Sequence, residues 1–304
     1  MSWYDGFEPI IRHEVPLGEH TWFHLGGPAR WLAAPRDEAE LAALVNRAEG
    51  AGVPWRVLGH GANVLVRDEG FPGVVIRLEA PTFSRVEFGG EAAQSPSPPT
   101  PNLVRAGAGA DFPKFIRDTL KRGLVGLEAL AGVPGTVGGL VRMNAGGKYG
   151  EVGQFVRTVR ILDKARQIAD LSREQVGFRY RHTDLDGCIV LIATFELTPG
   201  DAAEGLERHR RIWTEKHESQ PAVAQRSAGC IFKNPPGNSA GRLIDQAGLK
   251  NTRIGGATIS PKHANFIVAD DTASAQNVID LIRLAKDRVH SVSGVMLETE
   301  IEIW

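Results

Sequence analysis

Leu41, Leu44, Val45 and Ala48 recur three and four residues apart in "PRDEAELAALVNRAEGAG". That spacing predicts a helix with one apolar face, capped by Asp37 and stopped at Gly50 and Gly52. Three short apolar runs follow, "WRVLG", "VLVRD" and "GVVIRL", separated by glycine turns and read as strands. The glycine stretch between the first two, "GHGAN", opens no helix. This argues against a Rossmann unit, whose glycine turn must lead into a helix facing the pyrophosphate.

Further along, "DFPKFIRDTLKRG" predicts a short helix capped by Asp111 and closed by Gly123, packing through Phe112, Phe115, Ile116 and Leu120. "VRTVRILDKARQIADLS" reads as a hairpin turning at Asp163-Lys164, and "CIVLIATFEL" as a nearly continuous apolar strand. The helical stretch "DAAEGLERHRRIWTEKHESQP" ends at Pro221 and marks the boundary between a larger first unit and a C-terminal one. In the latter, "NSAGRLIDQAG" and "TASAQNVIDLIRLAKDRVHSVSG" predict helices, "TISPKHANFIVA" strands, and "VMLETEIEIW" a closing strand. On that strand Val295, Leu297, Ile301 and Ile303 share one side and Glu298, Glu300 and Glu302 the other, an acidic row that reads as solvated unless a cation or ligand meets it. The Pro- and Ser-rich "GGEAAQSPSPPTPN" reads as a solvated hairpin tip, with residues 91–101 an insertion.

A chain of 304 residues with this much apolar character buries a sizeable core, and its net charge of -1 gives no pull toward nucleic acid or an anionic membrane. Neither a signal peptide nor a bilayer-spanning run stands out, so a cytoplasmic protein is expected. In that reducing compartment the two cysteines, Cys188 and Cys230, are expected as free thiols. The nine histidines form no metal pattern: His20 and His24 run directly into Gly-Gly-Pro, which disfavours a helix presenting both, so no metal is expected.

Chemistry concentrates in a few places. "GHGAN" and "GVPGTVGG" are glycine loops that read either as turns or as backbone cradles for phosphate oxygens, and the whole stretch 126–153 is too rich in glycine for a packed element. In "FRYRHTDL", Arg179 and Arg181 fall on one face of an extended chain with Tyr180 opposite, and arginine's fork suits carboxylate or phosphate. In "SAGCIFKNP", Cys230 is a buried packing residue, half of a disulfide, or an acid whose proton is used. Lys233 and Asn234 beside it supply a cation and an amide, and a nearby cation lowers a thiol's pKa.

Taken together and in order, "HLGGPA", "GHGANVLVRDEGFPGVVIRL", "GLEALAGVPGTVGGLVRMNAGGKYG", "FRYRHTDL", "SAGCIFKNP", "AGRLIDQAGLK", "SPKHANFIV" and "GVMLETEIEI" resemble the UDP-N-acetylenolpyruvoylglucosamine reductases, flavoenzymes of peptidoglycan precursor synthesis. The resemblance covers nearly the whole chain. It implies an α+β fold: an FAD-binding domain of the vanillyl-alcohol-oxidase type over 1–200, in two subdomains of about 1–78 and 79–200, and a substrate domain over 201–304 whose last strand returns Glu300 to the flavin site.

The same resemblance implies that NADPH delivers a hydride to FAD, that reduced FAD delivers one to the methylene carbon of UDP-N-acetylglucosamine enolpyruvate, and that the adjacent carbon takes a proton to give UDP-N-acetylmuramate. It assigns the proton to Cys230, where most members carry serine, and the electrophilic clamp to Arg181 and Glu300. Cofactor contacts fall on Gly59, His60, Gly61, Ala62, Asn63 and Val64, on Gly132, Val133, Pro134, Gly135, Thr136, Gly138 and Gly139, and on Asn144, Ala145 and Gly146. Substrate contacts fall on Tyr180, Lys233, Asn234, Lys262 and His263. Beside that cysteine, three further departures are visible: Ala62 where a hydroxyl is common, "NAGGKYG" one residue longer than usual, and the 91–101 insertion. Little sequence separates "FRYRHTDL" from "CIVLIATFEL", as in the shorter subclass without a tyrosine-bearing loop. The expected partners are a UDP-sugar and NADPH, with no nucleic acid or membrane, and a monomer is favoured. Rival readings are another FAD-dependent oxidoreductase on the same scaffold, with His60 a covalent attachment point, and a non-catalytic nucleotide-binding module.

Overall fold

The computed structural model describes residues 2–89, 102–222 and 224–304. The expected hairpin tip and insertion at 91–101 lie outside the described residues. The chain forms two compact units: one from the N-terminal residues to Arg12, Leu32–Gly59 and Val74–Thr214, the other from His13–Trp31, His60–Gly73 and Glu215–Trp304.

In the first unit the helix Glu38–Gly50 forms where the periodicity places it. Asp37 accepts a hydrogen bond from the Glu40 amide at 2.8 Å, and Leu41, Leu44, Val45 and Ala48 are fully buried. Five strands pair antiparallel in the order Ile168–Ser172, Val156–Leu162, Ile189–Glu196, Leu103–Gly107, Val86–Phe88. The first two are the expected hairpin. Ile189–Glu196 is the central strand and buries Ile189, Leu191, Ala193 and Phe195 on one face, while on the other Val190 is buried and Ile192 and Thr194 are half-buried. Helix Phe112–Lys121, capped by Asp111 through the Lys114 amide at 2.7 Å, buries Phe112, Phe115, Ile116 and Leu120, and the Phe115 and Phe195 rings lie 5.0 Å apart. Each such buried side chain contributes about 1.5–3 kcal/mol.

The second unit is organised around one apolar cluster that includes Phe23, Leu65, Ile231, Phe232, Ile244, Val278, Leu281, Leu297 and Ile301. Helices Ala240–Gln246 and Ala275–Ser293 and a three-stranded antiparallel meander of Arg253–Ile254, Ala257–Ile259 and Ile267–Ala269 surround it. The long helix starts at the Ser274 cap and stops at Gly294, whose φ of +71° is easy only for glycine.

This partition differs from contiguous domains split at residue 200. The second unit begins later, within helix Ala202–Ser219, and takes in two N-terminal segments. The reason is visible in its bonds. Residues 302–303 pair parallel with Val64–Leu65, and the Asp68 carboxylate accepts from the Ala275 and Gln276 amides at 2.8 and 3.0 Å, so segment 60–73 is stitched to the C-terminal elements. The closing strand is also shorter than its alternating pattern suggests: regular pairing holds only for Glu302–Ile303, with a separate bridge between Thr299 and Phe232. Alternation still sets burial, since Leu297 and Ile301 are inside while Glu298 and Glu302 are exposed.

Candidate active site

The second glycine loop enters helix Val137–Arg142, whose cap Thr136 accepts a hydrogen bond from the Gly139 amide. Its Gly135 carbonyl accepts from Phe112, and the Gly138 amide donates to the Ala108 carbonyl at 2.8 Å. A Cβ at Gly138 would come within 2.7 Å of the Ala108 Cβ, and one at Gly59 within 2.5 Å of the Thr136 hydroxyl. The glycines at 59 and 138 are therefore required by the chain packing on itself, and that packing lays the start of the first loop against the second. Gly139 differs: a Cβ there would meet only the Thr136 hydroxyl, at 3.5 Å, and both Gly132 and Gly139 are exposed. Neither 59–64 nor 132–139 contains an acidic residue.

After the helix, Asn144 is fully buried with a φ of +44°. Its side-chain oxygen accepts from the Gly153 amide at 3.0 Å and its NH2 donates to the Arg179 carbonyl at 2.8 Å, so the amide expected at a cofactor is engaged by the chain. Asparagine tolerates the left-handed region and alanine does not. Asn144→Ala should lower stability by about 2–4 kcal/mol, through an unpaired buried Gly153 N–H and the strained backbone. A shift in denaturant midpoint corresponding to less than about 0.5 kcal/mol would refute that account.

The carbonyl that Asn144 holds belongs to a tight turn. Arg179 and His182 exchange both backbone hydrogen bonds, at 2.9 and 3.0 Å, with Tyr180 and Arg181 at the tip and Arg181 at φ +54°. The expectation that Arg179 and Arg181 share a face is corrected here, because alternation holds only for an extended chain and this segment reverses. Arg179 pairs with Asp184 at 2.5 Å, whereas Arg181 donates to the Gly146 carbonyl at 2.9 Å and stacks its guanidinium 5.1 Å from the centre of the Tyr180 ring. Tyr180 is half exposed.

In the second unit, Cys230 and Glu300 lie on neighbouring segments. The Glu300 amide donates to the Ile231 carbonyl at 2.8 Å, one residue from Cys230, and the Lys233 amide donates to the Glu298 carbonyl at 2.9 Å. The Glu300 carbonyl in turn accepts from the Asn63 side chain at 3.1 Å, while the Asn63 carbonyl accepts from Glu302. One backbone unit, Glu300, thus joins the end of the first glycine loop to the segment carrying the thiol. Cys230 and Glu300 are both half-buried. Gly61 in that loop has a φ of +65° and sits so close to His20 that a Cβ would fall 2.3 Å from its carbonyl oxygen.

The acidic row is not simply solvated: the Lys233 ammonium meets the Glu298 carboxylate at 2.5 Å. Asn234 accepts from the Ala240 amide at the start of the short helix. Lys262 donates to the His217 carbonyl at 2.8 Å. Burial pushes the His263 imidazole below its ordinary pKa, and its Nδ1 accepts from the Asn265 amide at 3.2 Å. Cys188 and Cys230 are unbridged, and burial pushes the Cys188 thiol up. Sequence reasoning passed over Asn265, which is 2% exposed and bonds the Phe232 backbone twice; a polar amide inside "HANFIVA" was its only signal.

Among the described residues, no helix is long and apolar enough to cross a membrane. Residues 29–172 match the FAD binding domain family, and residues 220–304 match the family described as UDP-N-acetylenolpyruvoylglucosamine reductase, C-terminal domain. The chain is 38% identical to UDP-N-acetylenolpyruvoylglucosamine reductase 2 of Symbiobacterium thermophilum, over 97% of this chain and 92% of that one. It is 39% identical to the reductase of that name from Heliobacterium modesticaldum, over 95% and 89%. The crystal structure of UDP-N-acetylenolpyruvylglucosamine reductase from Thermus caldophilus superposes with a TM-score of 0.81 at 37% identity, covering 97% of this chain and 99% of that one.

Proposed function

The chain belongs to the UDP-N-acetylenolpyruvoylglucosamine reductase family, and we propose that it reduces UDP-N-acetylglucosamine enolpyruvate to UDP-N-acetylmuramate with NADPH as reductant and Cys230 as proton source. What supports the reading most is Glu300, whose backbone ties Asn63 of the first glycine loop to the residue following Cys230.

The residues present fit FAD. Two loops free of acidic side chains suit a pyrophosphate, and Gly132 and Gly139 leave one side of the second open to it. FAD, when bound, supplies the hydride that adds to the methylene carbon of the enolpyruvyl ether. Addition there pushes an electron pair toward the carboxylate, and the chain's task is to hold that charge and then quench it. Arg181, whose fork suits carboxylate oxygens, and Glu300 are the residues assigned to stabilise that charge. The Cys230 thiol gives its proton to the adjacent carbon and is left as thiolate, which solvent reprotonates. One hydride and one proton are thereby added across the double bond. Tyr180, Lys233, Asn234, Lys262 and His263 are assigned to the sugar nucleotide, with Lys233 exchanging its Glu298 partner for a phosphate. A cytoplasmic location belongs to the same proposal, since the reaction draws on NADPH.

Under anaerobic conditions, protein reduced by NADPH should regain its flavin absorbance within seconds of adding UDP-N-acetylglucosamine enolpyruvate. Flavin that stays reduced until oxygen is admitted would replace this reading with an oxidase.

A further inference from the structure

We propose that Asn265 is a positioning residue for the protonation step, fixing the segment that carries Cys230 beside Glu300; this rests on the function proposed above. Its side chain behaves as a substitute strand. The Phe232 amide donates to Asn265 Oδ1 at 2.9 Å, and Asn265 Nδ2 donates back to the Phe232 carbonyl at 2.8 Å. A third bond, from the Ile231 amide to the Asn265 carbonyl at 2.8 Å, extends the contact to the residue next to Cys230. Three hydrogen bonds from two consecutive residues thus converge on one asparagine.

The opposite edge of the same segment is held by the bonds to Glu298 and Glu300. Residues 231–233 are therefore clamped from both sides, by Asn265 and by the strand that carries the acid. Upstream the situation is different. Gly229 has a φ of +76°, and no heavy atom lies within 4 Å of where its Cβ would be, so packing at Gly229 does not fix the thiol. Further upstream the chain is held again, with Ala228 in the core and the Arg226 carbonyl accepting from the Ala269 amide at 2.9 Å, so Asn265 and the Glu300 segment hold the side of Cys230 opposite the loosely packed Gly229.

Asn265 is itself immobilised. The Ser260 amide bonds the Phe266 carbonyl, Phe266 bonds back to His263, and the Asn265 amide is taken by His263 Nδ1. A leucine has the same branched shape as the amide, but it would specify no register for residues 231 and 232. The amide fixes distance and direction, as a proton donor at a reacting carbon requires.

The test compares the wild-type holoenzyme with Asn265→Leu, which keeps the number and branching of heavy atoms, and Asn265→Asp, which keeps the acceptor for Phe232. Reoxidation of reduced flavin by the enolpyruvyl substrate should slow by about 10- to 100-fold, with FAD content and the rate of reduction by NADPH retained. The new stereocentre of the product should lose configurational purity, because solvent then competes with the thiol. Alkylation of Cys230 by iodoacetamide should change several-fold, with Cys188 as internal control. Proportional loss of FAD and both half-reactions would show a purely structural residue and overturn the proposal. Unchanged Cys230 alkylation in either folded variant would also overturn it. That arm needs no turnover, so a wild type that fails to reoxidise condemns the functional reading and leaves the positioning claim to be decided by the thiol. If the leucine variant does not fold, the aspartate variant decides.

Discussion

Cys230→Ala is expected to slow reoxidation of the reduced enzyme by the enolpyruvyl substrate by about 10²- to 10⁴-fold, the span that general-acid catalysis commonly supplies. Reduction by NADPH should be left unchanged. The asymmetry follows from where the residue sits. Cys230 belongs to a segment held by Glu298, Glu300 and Asn265, and it removes no cap or core side chain when truncated. It is half-buried and unbridged, so alanine opens no large cavity and breaks no crosslink. The sign of the pH dependence is fixed by the role. A thiol donates only while protonated, so the wild-type rate of reoxidation should fall as pH rises through the range where thiols ionise, near 8.5 for a free cysteine. Cys230→Ser substitutes a hydroxyl that stays protonated throughout, and its alkaline decline should vanish. Stopped-flow traces at several pH values separate these outcomes. An alanine variant that reoxidises at the wild-type rate would remove Cys230 from the mechanism, and the buried Ser227 hydroxyl, which has no hydrogen-bond partner among the described residues, would be the next donor to test.

Much of the frame was legible because single periodicities decided it. Leu41 to Ala48 and Phe112 to Leu120 each show one helical face with an acidic cap, and Ile189–Glu196 buries Ile189, Leu191, Ala193 and Phe195 on one face, so local pattern and final burial agree. Candidate residues could be named from the sequence, and their geometry could not. "FRYRHTDL" carries no glycine or proline to announce a turn, so the left-handed backbone at Arg181 could not be read from spacing, and the two arginines diverge. A glycine loop reads from sequence as either a turn or a phosphate cradle, and nothing local shows that the glycines at 59 and 138 also make room for Thr136 and Ala108. Asn144 and Asn265 were hardest to read. Each satisfies a backbone group far away in sequence, Arg179 for one and Phe232 for the other, and no local pattern encodes a bond across 33 or 35 residues. Segment 60–73 poses the same problem, since its membership of the second unit rests on Asp68 and Leu65 finding partners more than two hundred residues away.

Glu300→Gln should retain FAD and lower the rate of reoxidation by about 10²- to 10³-fold, the loss typical when one group stabilising a developing oxyanion is removed. The substitution isolates the carboxyl group. The Glu300 backbone is bonded on both sides, to Ile231 and to Asn63, and glutamine has the same length and shape, so the closing segment keeps its path. An ionised carboxylate facing an enolate would repel it. The role proposed for Glu300 is to offer a proton toward the developing charge, and an amide N–H is a weaker donor that cannot release one. Glu298, two residues away, is the control on the same strand face. It is exposed and paired with Lys233, an arrangement worth about 0–1 kcal/mol, so Glu298→Gln should leave reoxidation nearly unchanged while altering the KM for the sugar nucleotide through the released lysine. Full activity in Glu300→Gln together with a collapse in Glu298→Gln would transfer the role to Glu298 and would make the Lys233 ion pair, not the Asn63 tether, the contact that organises the acid.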